Sequence, residues 1–311
     1  MIVHSGLEKL NLNNPVVTLG IFDGVHKGHR ALLDYLIGCA RERQGESVVV
    51  TFNTHPRLIL AENKRGISFL STPDEKKRLF AETGLDHLII LRFDRSLAEM
   101  EACDFVEKVL VKKIGTKHLI IGYDHHFGKS RQGDFNSVSE CAEKFGFGVE
   151  QITRVNSENG IVSSTVIREA LLDGNPRIAA KMLGYDYSLS GTIVRGKRIG
   201  RDIGFPTANI KPADKYKLVP GNGVYAVKVA IDDHTFMGML SIGSNPTVNK
   251  IPDIRSIEVN IFDFEGDLYD REIRVFFIER LRDEIRFDNL AKLAEQMKID
   301  RLVAVRILSA T

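Results

Sequence analysis

The period of the hydrophobic pattern changes once along this chain, near Gly184, and no single layer architecture accommodates both patterns. Before the change, short apolar runs (Val16–Leu19, Val48–Phe52, Leu88–Leu91, Leu119–Ile121 and Val149–Ile152) alternate with longer segments of helical period such as Phe105–Leu110. Continuous apolar strands separated by helices predict a mostly parallel, doubly wound α/β sheet with helices on both faces. After the change, apolar residues fall on every second position: Tyr225, Val227, Val229 and Ile231; Phe236, Leu240 and Ile242; Ile257, Val259 and Ile261; Ile273, Val275 and Phe277. Strict alternation with short turns predicts an antiparallel sheet or small β-barrel, with Leu290–Met297 and Arg301–Leu308 as two C-terminal helices packed on it. Two domains follow, residues 1–184 and 185–311, in line with a length of 311 residues against a prior of roughly 100–200 per domain.

Charge narrows the partners. Lys and Arg total 43 against 41 Asp and Glu, a net charge of +2, so no basic field marks a nucleic-acid partner. No apolar run approaches the ~20 residues that span a bilayer, and the first residues lack the layout of a signal peptide, so no membrane partner is expected and the expected compartment is the cytoplasm. Cys39, Cys103 and Cys141 are odd in number and widely spaced. They are expected as buried, inert thiols, forming neither a disulfide frame nor a zinc site.

Ligands of doubly wound sheets gather beyond the carboxyl ends of the strands, where the chain switches direction. The first strand-like run leads into Gly20-Ile21-Phe22-Asp23-Gly24-Val25-His26-Lys27-Gly28-His29, followed by an amphipathic helical segment. Three-residue spacing puts His26 and His29 on one face of the first helical turn, and Gly28 leaves the backbone open to a ligand. Free N–H groups at that helix start favour an anion, and two imidazoles beside it suit phosphate chemistry. A solvated helix start or a structural metal pair would also use a bare His-x-x-His. Three further segments follow apolar runs: His55 in Thr51–Pro56; Asp124 and Phe127 in the glycine-rich, basic stretch 122–133; and Ser163-Ser164-Thr165-Val166-Ile167-Arg168. The last reads first as a helix N-cap, but hydroxyls and an arginine at a helix start also make a triphosphate clamp. In the second half, Gly196, Gly200, Arg201 and Gly204 lead into Pro206-Thr207-Ala208-Asn209, and Glu258 projects opposite the apolar face of its strand. A flexible barrel corner and a routine outward charge are the plain readings of these two features.

Taken together and in this order, the segments resemble the bifunctional prokaryotic FAD synthetases, which join a riboflavin kinase to an FMN adenylyltransferase. Gly20–His29 and Ser163–Arg168 are similar to the nucleotidyltransferase signatures, and Pro206–Asn209 with Ile257–Phe264 to those of riboflavin kinases. Thr54 and His125 depart from the family's usual proline and phenylalanine. The resemblance implies a Rossmann-like nucleotidyltransferase domain followed by a riboflavin kinase barrel, with ATP, riboflavin and FMN as partners and Mg2+ accompanying ATP. It implies that His26 and His29 stabilise charge at the α-phosphorus. Gly20, Phe22, Asp23, Gly24, Gly28, Ser164, Thr165 and Arg168 would then bind nucleotide. In the kinase, Gly196, Gly200, Arg201, Gly204 and Pro206 would enclose ATP, Thr207 and Asn209 would hold the metal, and Glu258 would be the catalytic base. His55, Asp124, Phe127, Arg282 and Phe287 would line flavin. A transferase acting on another phosphate, such as phosphopantetheine, is permitted by the first half alone. A flavin- or nucleotide-binding regulator is the reading from a different class.

Overall fold

The computed structural model describes every residue except 9, 65, 123–127, 129–132, 153–155, 158–159, 196–203, 245–254 and 311. The chain divides into two compact units, Met1–Val162 and Ser163–Thr311. In the first unit, the strands β1 (Ile2–Ser5), β2 (Val16–Leu19), β3 (Ser47–Phe52), β4 (His87–Leu91), β5 (His118–Ile121) and β6 (Gly148–Gln151) form a parallel sheet. Their order is β1-β4-β3-β2-β5-β6. From β2 the chain winds outward through β3 and β4, then returns to place β5 on the other side of β2. The switch point therefore lies at the carboxyl ends of β2 and β5.

Crossovers are made by α1 (Lys27–Glu42), α2 (Pro56–Leu60), α3 (Pro73–Ala81), α4 (Arg95–Ala98), α5 (Ala102–Phe105, continuing with wider helical hydrogen bonding over Val106–Ile114) and α6 (Phe135–Phe145). Val16 to Leu19 are all buried because helices cover both faces of the sheet. Val17, Leu19, Val48, Val50, Leu119 and Ile121 share one core with Phe105, Val109 and Val138. β1 has no counterpart in the periodicity, because it is an edge strand whose residues are mostly exposed.

The second unit opens with α7 (Ser164–Leu172) and α8 (Pro176–Leu183). Six antiparallel strands follow: β9 (Ser188–Val194), β10 (Ala208–Pro212), β11 (Gly223–Ile231), β12 (His234–Ser244), β13 (Arg255–Ile261) and β14 (Glu272–Arg282). They close as a barrel in the order β10-β13-β12-β11-β14-β9. The expected alternation holds at Tyr225, Val227 and Val229, which are fully buried, as are Leu240, Ile242, Val259, Val275 and Phe277. (The two-stranded ribbon at 156–157 and 160–161, β7 and β8, precedes this unit.)

Two expectations need correction. The C-terminal segments are one helix, α9 (Leu290–Leu308), not two. Asp300, between the two expected segments, lies inside this helix with its carboxylate buried and engaged by Arg282 and by Gln296 of the same helix. And Cys103 and Cys141 are not separate thiols: they are joined as a disulfide, with Cα atoms 5.9 Å apart, inside the usual span. A separation of 38 residues hides that α5 and α6 pack on the same face of the sheet. Cys39 remains a buried free thiol. Among the described residues no helix is long and apolar enough to cross a membrane.

Candidate functional sites

At the end of β2 the backbone leaves ordinary territory. Phe22 (φ 52°) and Val25 (φ 36°) take left-handed conformations, together with Gly24 (φ 79°). A β-branched residue with positive φ is costly, and such strain persists only where the surroundings over-determine it. The surroundings do so here. The Asp23 carboxylate accepts hydrogen bonds from the Leu70 and Ser71 N–H groups at 2.9 and 3.0 Å and from the Ser71 hydroxyl at 3.2 Å. The Gly24 N–H donates to the same hydroxyl at 3.0 Å. A Cβ at Gly20 would come within 2.9 Å of the Phe22 ring, so glycine there lets that ring fold back over the strand end.

The turn delivers His26 as the N-cap of α1, its Nδ1 accepting from the His29 N–H at 3.3 Å. In its neutral form His26 therefore carries its proton on Nε2. The two imidazoles stack with centroids 3.6 Å apart and planes 14° from parallel, and Phe22 packs edge-on to His29. Burial pushes the His29 imidazole well below the usual histidine range, reinforced by His26 and by Lys76. Its Nδ1 is buried and has no hydrogen-bond partner among the described residues. A buried, neutral imidazole with an unmet polar atom is a group prepared for a ligand. Gly28 lies over the His26 ring, where a Cβ would approach to 3.2 Å.

Lys76, on α3, was not foreseen. Its ammonium donates to the Ile21 carbonyl at 3.0 Å, the Thr51 hydroxyl at 3.3 Å and the Phe52 carbonyl at 3.4 Å, so it ties the ends of β2 and β3 together. Desolvation lowers its pKa to about 8, with Asp23 partly offsetting that. In sequence it is one of two adjacent lysines in the charged run Asp74-Glu75-Lys76-Lys77, and nothing local distinguishes it from its charged neighbours. His55 is the N-cap of α2, accepting from the Arg57 N–H at 3.1 Å, and its ring stacks on Phe69 at 4.3 Å and 14°. That pair is a flat aromatic shelf following β3.

Ser163 supplies the N-cap of α7, accepting from the Val166 N–H at 3.3 Å. Ser164 and Thr165 are then first-turn residues, and Arg168 follows one turn later. This helix belongs to the second compact unit, whereas the histidine pair belongs to the first.

In the barrel the chemistry is arranged by register. Asn209 of β10 lies directly opposite Glu258 of β13, so both side chains share one face. Thr207, two residues earlier, donates its hydroxyl to a Glu258 carboxylate oxygen at 3.3 Å. A hydroxyl, an amide and a carboxylate thus meet on the face opposite the barrel interior. Gly204 (φ 79°) turns the chain into this segment, and Pro206 is held through its carbonyl by the Asn260 side-chain amide at 2.7 Å. Asn260 is buried and is a second residue that sequence reasoning missed, although its position two after Glu258 puts it on the same strand face.

Arg282 spends its guanidinium on Asp300, with three contacts of 2.8 to 3.1 Å, and Phe287 lies 5.7 Å from that guanidinium. Asp124, Phe127, Gly196, Gly200 and Arg201 lie outside the described residues, as does His125.

The family described as FAD synthetase matches residues 8–166, and the riboflavin kinase family matches residues 183–308. A bifunctional riboflavin kinase/FMN adenylyltransferase of Escherichia coli (strain K12) is 38% identical, covering 95% of this chain and 93% of that protein. The one from Listeria monocytogenes is 34% identical, over 92% of this chain and 90% of its own length. A solved structure described as a macrolide-efflux protein from Streptococcus pneumoniae has TM-score 0.87 and 33% identity, covering 97% of this chain and 98% of that one. The shared fold spans both halves of the chain.

Proposed function

The chain belongs to the bifunctional riboflavin kinase/FMN adenylyltransferase family, and from that membership we propose how its residues divide the two reactions. The C-terminal half phosphorylates riboflavin to FMN with ATP; the N-terminal half adenylylates FMN to FAD and releases pyrophosphate. Both are phosphorus transfers in which positioning and charge stabilisation do most of the work.

In the adenylyl transfer, an FMN phosphate oxygen attacks the α-phosphorus of ATP, and the bond to the pyrophosphate oxygen breaks. His26, with its proton on Nε2, and the buried neutral His29 donate hydrogen bonds to the non-bridging oxygens, where negative charge grows. Phe22 holds the ring of His29, and Asp23 holds the turn that carries both. Ser164, Thr165 and Arg168 bind the β- and γ-phosphates and stabilise the departing pyrophosphate. We accordingly count α7 with the adenylyltransferase half, residues 1–184, and residues 185–311 as the kinase; the FAD synthetase match runs to residue 166. The His55–Phe69 shelf stacks a flat ring, which we assign to the flavin.

In the kinase, Glu258 accepts the proton of the ribityl hydroxyl as that oxygen attacks the γ-phosphorus and ADP leaves. Thr207 orients the carboxylate by donating to it. Thr207 and Asn209 present a hydroxyl and an amide oxygen, the hard donors that magnesium takes, and these residues would hold the ion that accompanies ATP. That ion supplies neutralisation of phosphate charge. Phe287 is assigned to the flavin side, and Arg282 orders it from its anchor on Asp300. The enzyme acts in the cytoplasm, where ATP and riboflavin are both at hand.

The observation that carries this reading over transfer to another phosphate acceptor is the Asn209–Glu258 cross-strand pair with Thr207 on its carboxylate. Incubation with riboflavin, ATP and magnesium, followed by chromatography, is expected to give FMN first and FAD after it. Riboflavin left unphosphorylated would reject the kinase assignment; FMN accumulating with no FAD would reject the adenylyltransferase one.

A further inference from the structure

One cluster in the first unit lies outside the residues assigned to either reaction. Cys39 of α1, His118 at the start of β5 and Glu150 of β6 bring a sulfur, an imidazole nitrogen and a carboxylate oxygen all within 4.8 Å of one another. They come from three different elements. The register pairs His118 with Gly148 and Ile120 with Glu150, so His118 and Glu150 point to the same face of the sheet, where Cys39 meets them from α1. Cys39 is buried and unbonded to any other cysteine.

We propose that Cys39 Sγ, His118 Nε2 and a Glu150 carboxylate oxygen form a binding site for one divalent cation of the zinc type. Three observations carry it. His118 Nε2 and Glu150 Oε2, which hydrogen-bond to each other at 3.3 Å, already stand at about the separation of two ligands at the usual zinc distances set at a tetrahedral angle, so an ion could replace the shared proton without moving them far. Gly148 has an ordinary backbone conformation, so nothing in its dihedral angles asks for glycine. A Cβ there would nevertheless come within 2.3 Å of His118 Nδ1. The missing side chain makes room for this imidazole in this place. The ligands are also steadied from behind: the Tyr35 hydroxyl donates to the other Glu150 oxygen, and the Arg43 guanidinium donates to Cys39 Sγ at 2.9 Å. Such outer partners fix the orientation of metal ligands.

Ligand chemistry selects the ion. A thiolate with an imidazole suits zinc and disfavours magnesium, so the site is chemically distinct from any that accompanies ATP. One thiolate and one carboxylate neutralise a divalent cation, and with three protein ligands a fourth position is left for water. Glu150 is part exposed, with 38% of its side chain reached by solvent, which leaves a path of entry. Cys39 lies ten residues beyond His29 on the same helix, about 15 Å along its axis. The ion would therefore pin the far end of α1 to β5 and β6, a structural role at a distance from the histidine pair.

The test uses the full chain, stripped with chelator and titrated with Co2+ as a spectroscopic probe, then with Zn2+. Expected are one equivalent of bound cobalt with a thiolate-to-cobalt absorption band, displacement by zinc, and no response to Mg2+. Cys39→Ser should remove the band, and His118→Gln should weaken binding by at least about tenfold. Zinc should raise the melting temperature of the wild type but not that of Cys39→Ser. Retained FAD formation, the activity assigned to the unit that carries these residues, and an unchanged circular dichroism spectrum show that each variant is folded; should Cys39→Ser fail that check, Glu150→Gln takes its place, with binding expected to fall likewise. No thiolate band at stoichiometric cobalt, or a band that survives Cys39→Ser, would overturn the proposal.

Discussion

The two halves of this enzyme solve the same problem, placing groups around a reacting phosphorus, by opposite structural means. In the first, His26 and His29 hang on a turn with two non-glycine residues at positive φ, held in place by contacts with residues far off in sequence: Asp23 of the turn accepts from the Leu70 and Ser71 N–H groups, and Lys76 ties the ends of β2 and β3. In the second, Asn209 and Glu258 face each other because two ordinary strands pair in that register, and Thr207 joins them two residues away. A loop-built site stores strain and depends on its braces. A sheet-built site draws its order from the ladder, and each residue in it is nearly self-sufficient. Damage remote from the reacting groups should therefore hurt adenylyl transfer more than phosphorylation.

The largest effects separate the halves outright. Alanine at His29 should cut FAD formation by about 10³-fold and leave FMN formation intact, and alanine at Glu258 should do the reverse. A folded variant of either kind that lost both activities would erase the comparison. Next, Asn209→Ala should lower riboflavin phosphorylation by about 10- to 100-fold and raise the magnesium concentration needed for half-maximal rate. Steady-state kinetics across a magnesium series reads both.

The brace comes third. Asp23→Ala leaves the Leu70 and Ser71 N–H groups without their acceptor, at a cost of about 1–3 kcal/mol each where buried. FAD formation should fall about tenfold or more, although Asp23 need not touch substrate, while FMN formation stays unchanged. No loss would mean that the turn holds its own shape. The smallest effect concerns pH. Lys76 is charged below about pH 8 and loses its proton as pH rises through that value, well before an ordinary lysine would. Adenylyl transfer should show an alkaline decline near pH 8 that phosphorylation lacks, and Lys76→Arg, charged throughout, should move that limb upward. A limb that stays in place in the arginine variant would assign it to another group.

Legibility in the sequence follows the same division. The parallel and antiparallel classes were readable because side-chain period reports which faces are buried, and the motifs were readable because their residues are contiguous. Thr207, Asn209 and Glu258 stood out through local strings, and pairing merely brought them together. Asn260 and Lys76 did not stand out, since their roles consist of holding carbonyls that lie 54 residues (Pro206) and 55 residues (Ile21) away. β1 was hidden by its exposure, and α9 runs unbroken through the gap between its two expected segments, where Arg282 pairs with the buried Asp300.

By itself, then, the order of residues determined that two folds of different class follow one another and which short strings are candidates for the reacting groups, for these depend on periodicity and on contiguity that survive without coordinates. Only the tertiary structure decided which polar groups brace and which are left open to a ligand, that Cys103 meets Cys141, and that Cys39, His118 and Glu150 converge. Those are matters of distance between residues remote in sequence, and no one-dimensional pattern encodes a distance that packing alone creates.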